Sequence, residues 1–364
     1  MNTSPFDGGI RLLDEPRPPV PGGPVVRADA PAGGSVWIVT DPDLAKQVLS
    51  DPRISKDPAH APAAWNPRTA GLEPTAAAQP ALTTLDGPAH TALRRAHAPL
   101  LSARRMQERA GRIADIAGEL LAGLGDGPVD LVAGFSTDFP LTVLCDLLGV
   151  PLDRVAQAAA AFRGMHDPDP AAAGAAMGAF VELAALAVAT GDGLAAELRD
   201  RLPAGMTVDD LHYQLFALLF AGQLTTDESV GHLVAHLLGP DRPDAPAADL
   251  VHAVLRRHPP APFTLWRFTT TELDLAGTAL PAGTPVLVDI AGITAHAPVE
   301  LAFGAGPHYC IGAQLALVEL TALVEVLRAD FPAARLAVPY PELRRADRPG
   351  IIGGRIVELP VKLR

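Results

Sequence analysis

The stretch Phe303-Gly304-Ala305-Gly306-Pro307-His308-Tyr309-Cys310-Ile311-Gly312 decides how this chain is read. Three glycines around a lone cysteine let the backbone turn sharply and approach closely, as a bulky planar ligand above the sulfur would require. An apolar helical pattern follows from 311 to 329, so a helix N-terminus and backbone amides lie near the sulfur. Both favour a thiolate, the form that ligates iron. A lone cysteine in a Gly-rich turn is ordinarily just a buried thiol, but the whole ten-residue arrangement argues against that. The second cysteine, Cys145, sits in Leu144-Cys145-Asp146-Leu147-Leu148, an apolar helical pattern that reads as core. Two cysteines are too few for a disulfide framework, a four-thiolate zinc site or an iron-sulfur cluster.

Outward from this loop the texture is mostly helical. Hydrophobic residues make up 48% of the 364 but aromatics only 5%, so the apolar content is largely Ala, Leu and Val, punctuated by 37 prolines. Helices are predicted over 103–124, 132–148, 155–189 with an interruption near Pro168 and Pro170, 248–257 and 311–329. Thr207-Val208-Asp209-Asp210 resembles a capping box that opens a long helix running past Gly222 to Leu238. Ser35 to Val39 reads as a strand, Asp41-Pro42 as the start of a short helix, and Asp86-Gly87-Pro88 as a turn feeding a basic helix. Residues 269–290 alternate as short strands and turns, the final thirty or so residues read as loops and short strands, and 52–80 as a long irregular connection. No repeat or linker divides the chain, which predicts a single domain over 1–364.

Charge and motif content exclude several classes. With 29 Lys and Arg against 41 Asp and Glu the net charge is −12, which disfavours a nucleic-acid partner. No uninterrupted apolar stretch reads as long enough to cross a bilayer and no targeting segment is evident, so the expectation is a cytoplasmic protein without a membrane partner. There is no H-E-x-x-H, Walker-type loop, G-x-S-x-G or dinucleotide fingerprint.

At Phe303 to Gly312 the sequence resembles the cytochrome P-450 haem-thiolate family, whose haem-binding pattern is matched at every fixed position: Phe303, Gly304, Gly306, His308, Cys310 and Gly312. The resemblance implies the mainly α cytochrome P-450 fold, a helical haem-binding domain with a small β-rich subregion. It implies haem b (iron protoporphyrin IX) as cofactor, with Cys310 as the proximal iron ligand. His90 and Arg94, four apart on the basic helix, Arg267 after the Pro259-Pro260 turn, and His308 match the family's partners for the haem propionates. Ala221-Gly222-Gln223-Leu224-Thr225-Thr226 resembles the oxygen-activation segment, in which Ala221 and Gly222 let the helix bulge over the haem and Thr225 keeps the hydroxyl. Taken alone, Thr225 reads as a core hydroxyl bonded to a carbonyl one turn back.

Two departures stand out. Leu224 replaces the acid that precedes the threonine, and Asp227 and Glu228 lie too far round the helix to substitute for it. The family's Glu-x-x-Arg helix aligns with Ala253-Val254-Leu255-Arg256, so Arg256 remains without its Glu. The irregular meander before the Cys loop is essentially missing, because the chain runs from Pro298-Val299-Glu300-Leu301-Ala302 straight into Phe303. The resemblance implies an oxidase that uses dioxygen and two externally supplied electrons on a small organic or short-peptide substrate, from a ferredoxin and ferredoxin reductase. Hydroxylation in bacterial specialised metabolism is the default outcome. Aromatic cross-linking of a small peptide at the same site is an alternative. A non-catalytic activating partner of another biosynthetic enzyme, such as a glycosyltransferase, is a reading of another class.

Overall fold

The computed structural model describes residues 4–18, 20–71, 75–125, 127–164, 169–240 and 244–364. The chain divides into two compact units, each assembled from three segments. The first comprises Met1–Thr91, Ala253–Cys310 and Arg345–Gly354. Its centre is a five-stranded sheet in the order Val25–Asp29, Ser35–Val39, Pro285–Val288, Arg267–Thr269, Ile54–Ser55. Only the Ser35–Val39 and Pro285–Val288 pair is parallel, with Trp37 opposite Val286 and Val39 opposite Val288. Val36, Ile38 and Leu287 point into a cluster with Trp65, Phe263, Trp266 and Phe268, while Val39, Val286 and Val288 point the other way, onto Val48, Leu49, Ile290 and Leu301. Successive side chains alternate between faces. Both faces being buried explains why Pro285–Val288 reads as a continuous apolar run.

The predicted strand at Ser35–Val39 and the helix start at Asp41 are found as read. The Asp41 carboxylate accepts from the amides of Asp43 and Leu44, capping the helix Pro42–Ser50. Residues 273–280 form a two-stranded hairpin whose turn holds Ala276 at φ 51° and Gly277 at φ 83°, the two positive angles a tight hairpin turn of matching twist requires. The described part of 52–80 is less irregular than expected. It contains the strand Ile54–Ser55 and single 3-10 turns at Pro58–His60, Pro67–Thr69 and Ala76–Ala78.

The second unit, Ala92–His252, Ile311–Arg344 and Arg355–Arg364, is mainly α-helical. The capping box at Thr207 forms with both of its hydrogen bonds and opens the 30-residue helix Val208–Leu237. Against it pack Asp138–Leu148 and Pro170–Thr190, while Ala103–Ala122 pairs with Ala313–Asp330. A small antiparallel sheet joins Pro128–Asp130, Pro360–Lys362 and Arg335–Leu336.

Two expectations are corrected here. The helix predicted over 132–148 breaks into Leu131–Gly134 and Asp138–Leu148, because Phe135 leaves helical geometry at φ −139°; in the same link Thr137 donates its hydroxyl to the buried Asp227 carboxylate at 3.1 Å. Two windows also meet the length and hydropathy of a membrane span. Leu131–Leu148 is the broken segment just described, and 72% of it is buried. Ala171–Thr190 has mean hydropathy 1.8 and is 28% buried. The interruption expected near Pro168 lies outside the described residues, as does 241–243, between the helix expected to reach Leu238 and the one over 248–257.

Candidate functional site

The Cys310 loop closes on itself. The Cys310 amide donates to the Phe303 carbonyl at 2.9 Å, the Gly304 amide to the Leu301 carbonyl at 2.8 Å, and Gly306–His308 forms a 3-10 turn between them. Leu301 is buried and anchors the loop to the core of the first unit. Gly306 sits at φ 70°, and a Cβ built there would lie 2.4 Å from the Leu49 carbonyl oxygen. Only glycine permits this seat against the end of the Pro42–Ser50 helix. The loop leaves Cys310 exposed, whereas Cys145 is fully buried and its thiol is pushed up to about 12 by burial. Of the two sulfurs, Cys310 alone is placed to act as a thiolate. The following helix begins at Ala313, two residues later than the pattern suggests.

The same unit brings His90, His308 and Arg267 together, around two residues that sequence reasoning missed. His90 is 4% exposed, and its ring stacks on that of His308 with centroids 4.1 Å apart. His308 Nε2 lies 2.7 Å from Asp86 Oδ1, and its Nδ1 lies 3.3 Å from the Leu82 carbonyl oxygen. The other Asp86 oxygen accepts from the Ser55 hydroxyl at 2.6 Å and from the Lys56 amide. Burial alone would raise the Asp86 carboxyl, but the hydrogen bonds from His308, Ser55 and Lys56 outweigh it and hold the group well below the usual carboxylate range. Lys56 is 7% exposed, and burial together with the nearby Arg267 charge pushes its pKa down to about 7 against the opposing pull of Asp86 and Cys310. Arg267 is 5% exposed and is lowered to about 10 by burial, with Asp86 opposing. His308 is lowered by burial, by Lys56 and by Arg267, with Asp86 opposing.

Arg94, Ala221, Gly222 and Thr225 belong to the second unit. Arg94 follows His90 by one turn of the Gly87–His97 helix and is half-buried. The helix Val208–Leu237 runs unbroken through Ala221 and Gly222. Gly222 packs against another helix: a Cβ there would meet both Leu144 methyls at 3.2 Å. Ala221 is exposed and Thr225 half-buried, and the Thr225 hydroxyl donates to the Ala221 carbonyl at 2.9 Å. The nearby Asp227 is committed elsewhere, accepting from Thr137 and lying 3.7 Å from the Arg355 guanidinium.

The missing Glu-x-x-Arg carboxylate has a local replacement that sequence reasoning did not find. Arg256 Nη1 lies 3.0 Å from Glu300 Oε1, and the Arg256 carbonyl accepts from the Thr294 hydroxyl at 2.9 Å. Glu300 belongs to the short link between the helix Ile290–His296 and the Cys loop. Both partners are 40% or more exposed, so the pair is a surface one of small energetic weight.

The donor set fits a haem. Lys56, Arg267 and the two histidines surround one carboxylate, and Arg267 Nε is buried without an acceptor. Buried cationic groups in excess of their acids are costly unless an anion joins them, and a pair of carboxylates such as the haem propionates supplies two.

No family model matches the sequence. Individual proteins match it strongly. The chain is 40% identical over 394 aligned positions to the cytochrome P-450 monooxygenase DoxA of Streptomyces peucetius subsp. caesius, with 94% of this chain and 92% of that protein covered. It is 33% identical over 384 positions to the cytochrome P450 monooxygenase PikC of Streptomyces venezuelae, covering 94% and 88%. Both alignments are longer than the 364-residue chain, so these relatives carry segments that it lacks. The structure of CYP154A1 from Streptomyces coelicolor A3(2) superposes with a TM-score of 0.79 at 31% identity, over 94% of this chain and 95% of that one. Likeness of this extent, in sequence and in fold together, settles what the Cys loop first suggested: the chain belongs to the cytochrome P-450 family of haem b monooxygenases.

Proposed function

We propose that Cys310 is the proximal thiolate of haem b and that His90, Arg94, Arg267 and His308 hold its propionates. The observation that carries this is the self-closed loop from Phe303 to Gly312, with its exposed thiol in the same unit as a buried set of cations. A haem held there would supply the activation of dioxygen, driven by two electrons. The chain's own residues do the rest. Gly304 and Gly306 shape the loop that presents the sulfur, and Phe303 fixes the Cys310 amide. Gly312 precedes the helix Ala313–Asp330. Arg267 and Lys56 keep the region cationic, and Asp86 orients the His308 ring through Nε2.

In the second unit, Ala221 is the small exposed residue one turn before Thr225, and Gly222 sets the packing of this helix on Leu144. The Thr225 hydroxyl is the proton-handling group of the oxygen-activation segment. It donates to the Ala221 carbonyl within the helix and can also accept a hydrogen bond from a water. Leu224 supplies no proton, so delivery relies on water held by Thr225. The substrate is a small organic molecule of bacterial specialised metabolism, hydroxylated in the cytoplasm. Electrons come from a ferredoxin and its reductase, as in soluble members of the family this sequence resembles. The test is the carbon monoxide absorption spectrum of the reduced protein. A thiolate-type band in the wild type that disappears in Cys310→Ala is expected. An identical band in both, or no haem uptake by the wild type after reconstitution, overturns the assignment.

A further inference from the structure

Lys56 is the buried group that this family's motifs do not account for. It directly follows the strand Ile54–Ser55, whose register against Arg267–Thr269 sets Ser55 opposite Phe268 and Ile54 opposite Thr269. Carried on by one residue, that register sets Lys56 opposite Arg267. Directly opposed residues of an antiparallel pair project from the same face, where like charges destabilise the pair. Here both cations are also out of water, at 7% and 5% exposure. Asp86 cannot neutralise both. Its oxygens already accept from Ser55, His308 and the Lys56 amide, three of about four acceptor positions that a carboxylate offers. Arg267 Nε has no acceptor at all. For Lys56 to carry its charge there beside Arg267, with one carboxylate already engaged, a second anion is needed.

We propose that Lys56 is a further haem-propionate partner in this chain, set beside Arg267 by strand register. The inference rests on the haem reading above. A carboxylate on the substrate has the same chemistry, and the test separates the two sources. Wild type, Lys56→Met and Lys56→Arg are reconstituted with haem, and separately with haem dimethyl ester, which lacks the propionate charges. The loss of each cofactor to excess apomyoglobin is then timed. Lys56→Met should release haem roughly 10- to 100-fold faster than wild type, the factor for one hydrogen bond to a charged group. Lys56→Arg should stay within about threefold of wild type, since it keeps the charge. With the dimethyl ester, Lys56→Met and wild type should release at the same rate. The urea midpoint of cofactor-free Lys56→Met should equal or exceed that of wild type, because a buried repulsion is gone.

Unchanged haem release in Lys56→Met overturns the proposal, as does equal acceleration with both cofactors. A lowered midpoint for the cofactor-free variant would make Lys56 a packing residue and overturn it too. Unchanged haem release with weakened substrate-induced spectral shifts would assign Lys56 to a substrate carboxylate instead. A wild type that takes up no haem overturns the haem reading as well, and is recognised before any variant is compared.

Discussion

Replacing Glu319 by glutamine should remove a pH dependence of stability that one side chain imposes. Glu319 lies on the helix Ala313–Asp330, 2% exposed, among the buried Leu315, Leu320 and Leu323. Its Oε1 has no hydrogen-bond partner, and burial alone pushes its pKa well above the ordinary 4.5. The sign follows from linkage. Above about pH 4.5 the unfolded chain gives up this proton while the folded chain keeps it, so the fold loses stability as pH rises toward the folded pKa. One proton is worth about 1.4 kcal/mol per pH unit. Glutamine keeps the shape and does not titrate, so any cost of burying its amide is a constant offset. Urea unfolding of wild type and Glu319→Gln at pH 5.0, 5.5 and 6.0 should show the variant gaining steadily on wild type as the pH rises, with about 1.4 kcal/mol per pH unit as the ceiling for one proton. Below about pH 4 the gap should stop changing, because both states of the wild type are then protonated. Stability curves that run parallel from pH 4 to 6 would refute the reasoning, since they would mean Glu319 ionises in the fold as readily as in the unfolded chain.

Other perturbations probe the first unit. Asp86→Asn withdraws the charge that Ser55, Lys56 and His308 share, and should cost about 1–2 kcal/mol in urea unfolding at pH 7, since the carboxylate accepts three hydrogen bonds but its side chain is 35% exposed. Because the Asp86 carboxyl titrates below its unfolded value, this contribution should be present above about pH 4 and fade as the pH falls further; a variant as stable as wild type at pH 7 would contradict the cluster. Gly306→Ala places a methyl 2.4 Å from the Leu49 carbonyl at φ 70°, and should destabilise the protein by about 1–3 kcal/mol in thermal or urea unfolding. Arg256→Ala should cost less than about 1 kcal/mol, since its pair with Glu300 is exposed; a loss of several kcal/mol would show that Arg256 carries more than this pair.

What was legible in the sequence was local. The Phe303 to Gly312 loop, the cap at Asp41 and the capping box at Thr207 are each decided by neighbours within a few residues, and each folds as read. What escaped was set by distant partners. Lys56 lies in a Pro-rich stretch with no periodicity, and its burial arises only when Ile54–Ser55 pairs with Arg267–Thr269, more than 200 residues on. Asp86 reads as a turn residue because its carbonyl opens a helix, yet its side chain reaches Ser55 and His308. At the break after Gly134, Phe135 leaves helical geometry and Thr137 reaches Asp227, 90 residues on, a partner that no local pattern announces. Gly222 shows the limit of a motif. The family pattern suggests room for a ligand, while the nearest obstacle to a side chain is Leu144.

The three-part construction of the first unit bears on the order in which the protein is made. About 160 residues separate its first segment from its second, and a further 34 separate the second from the third. At ribosomal rates of roughly 5–20 residues per second, the edge of Ser35–Val39 waits roughly 10–50 s for its parallel partner Pro285–Val288 to be synthesised. During that time an apolar strand with an open edge is available to other chains. The helices of 92–252 have only local partners to find, and can begin to pack while the strand waits. The Cys loop, made with the second segment, therefore closes only after the helices of 92–252 have emerged.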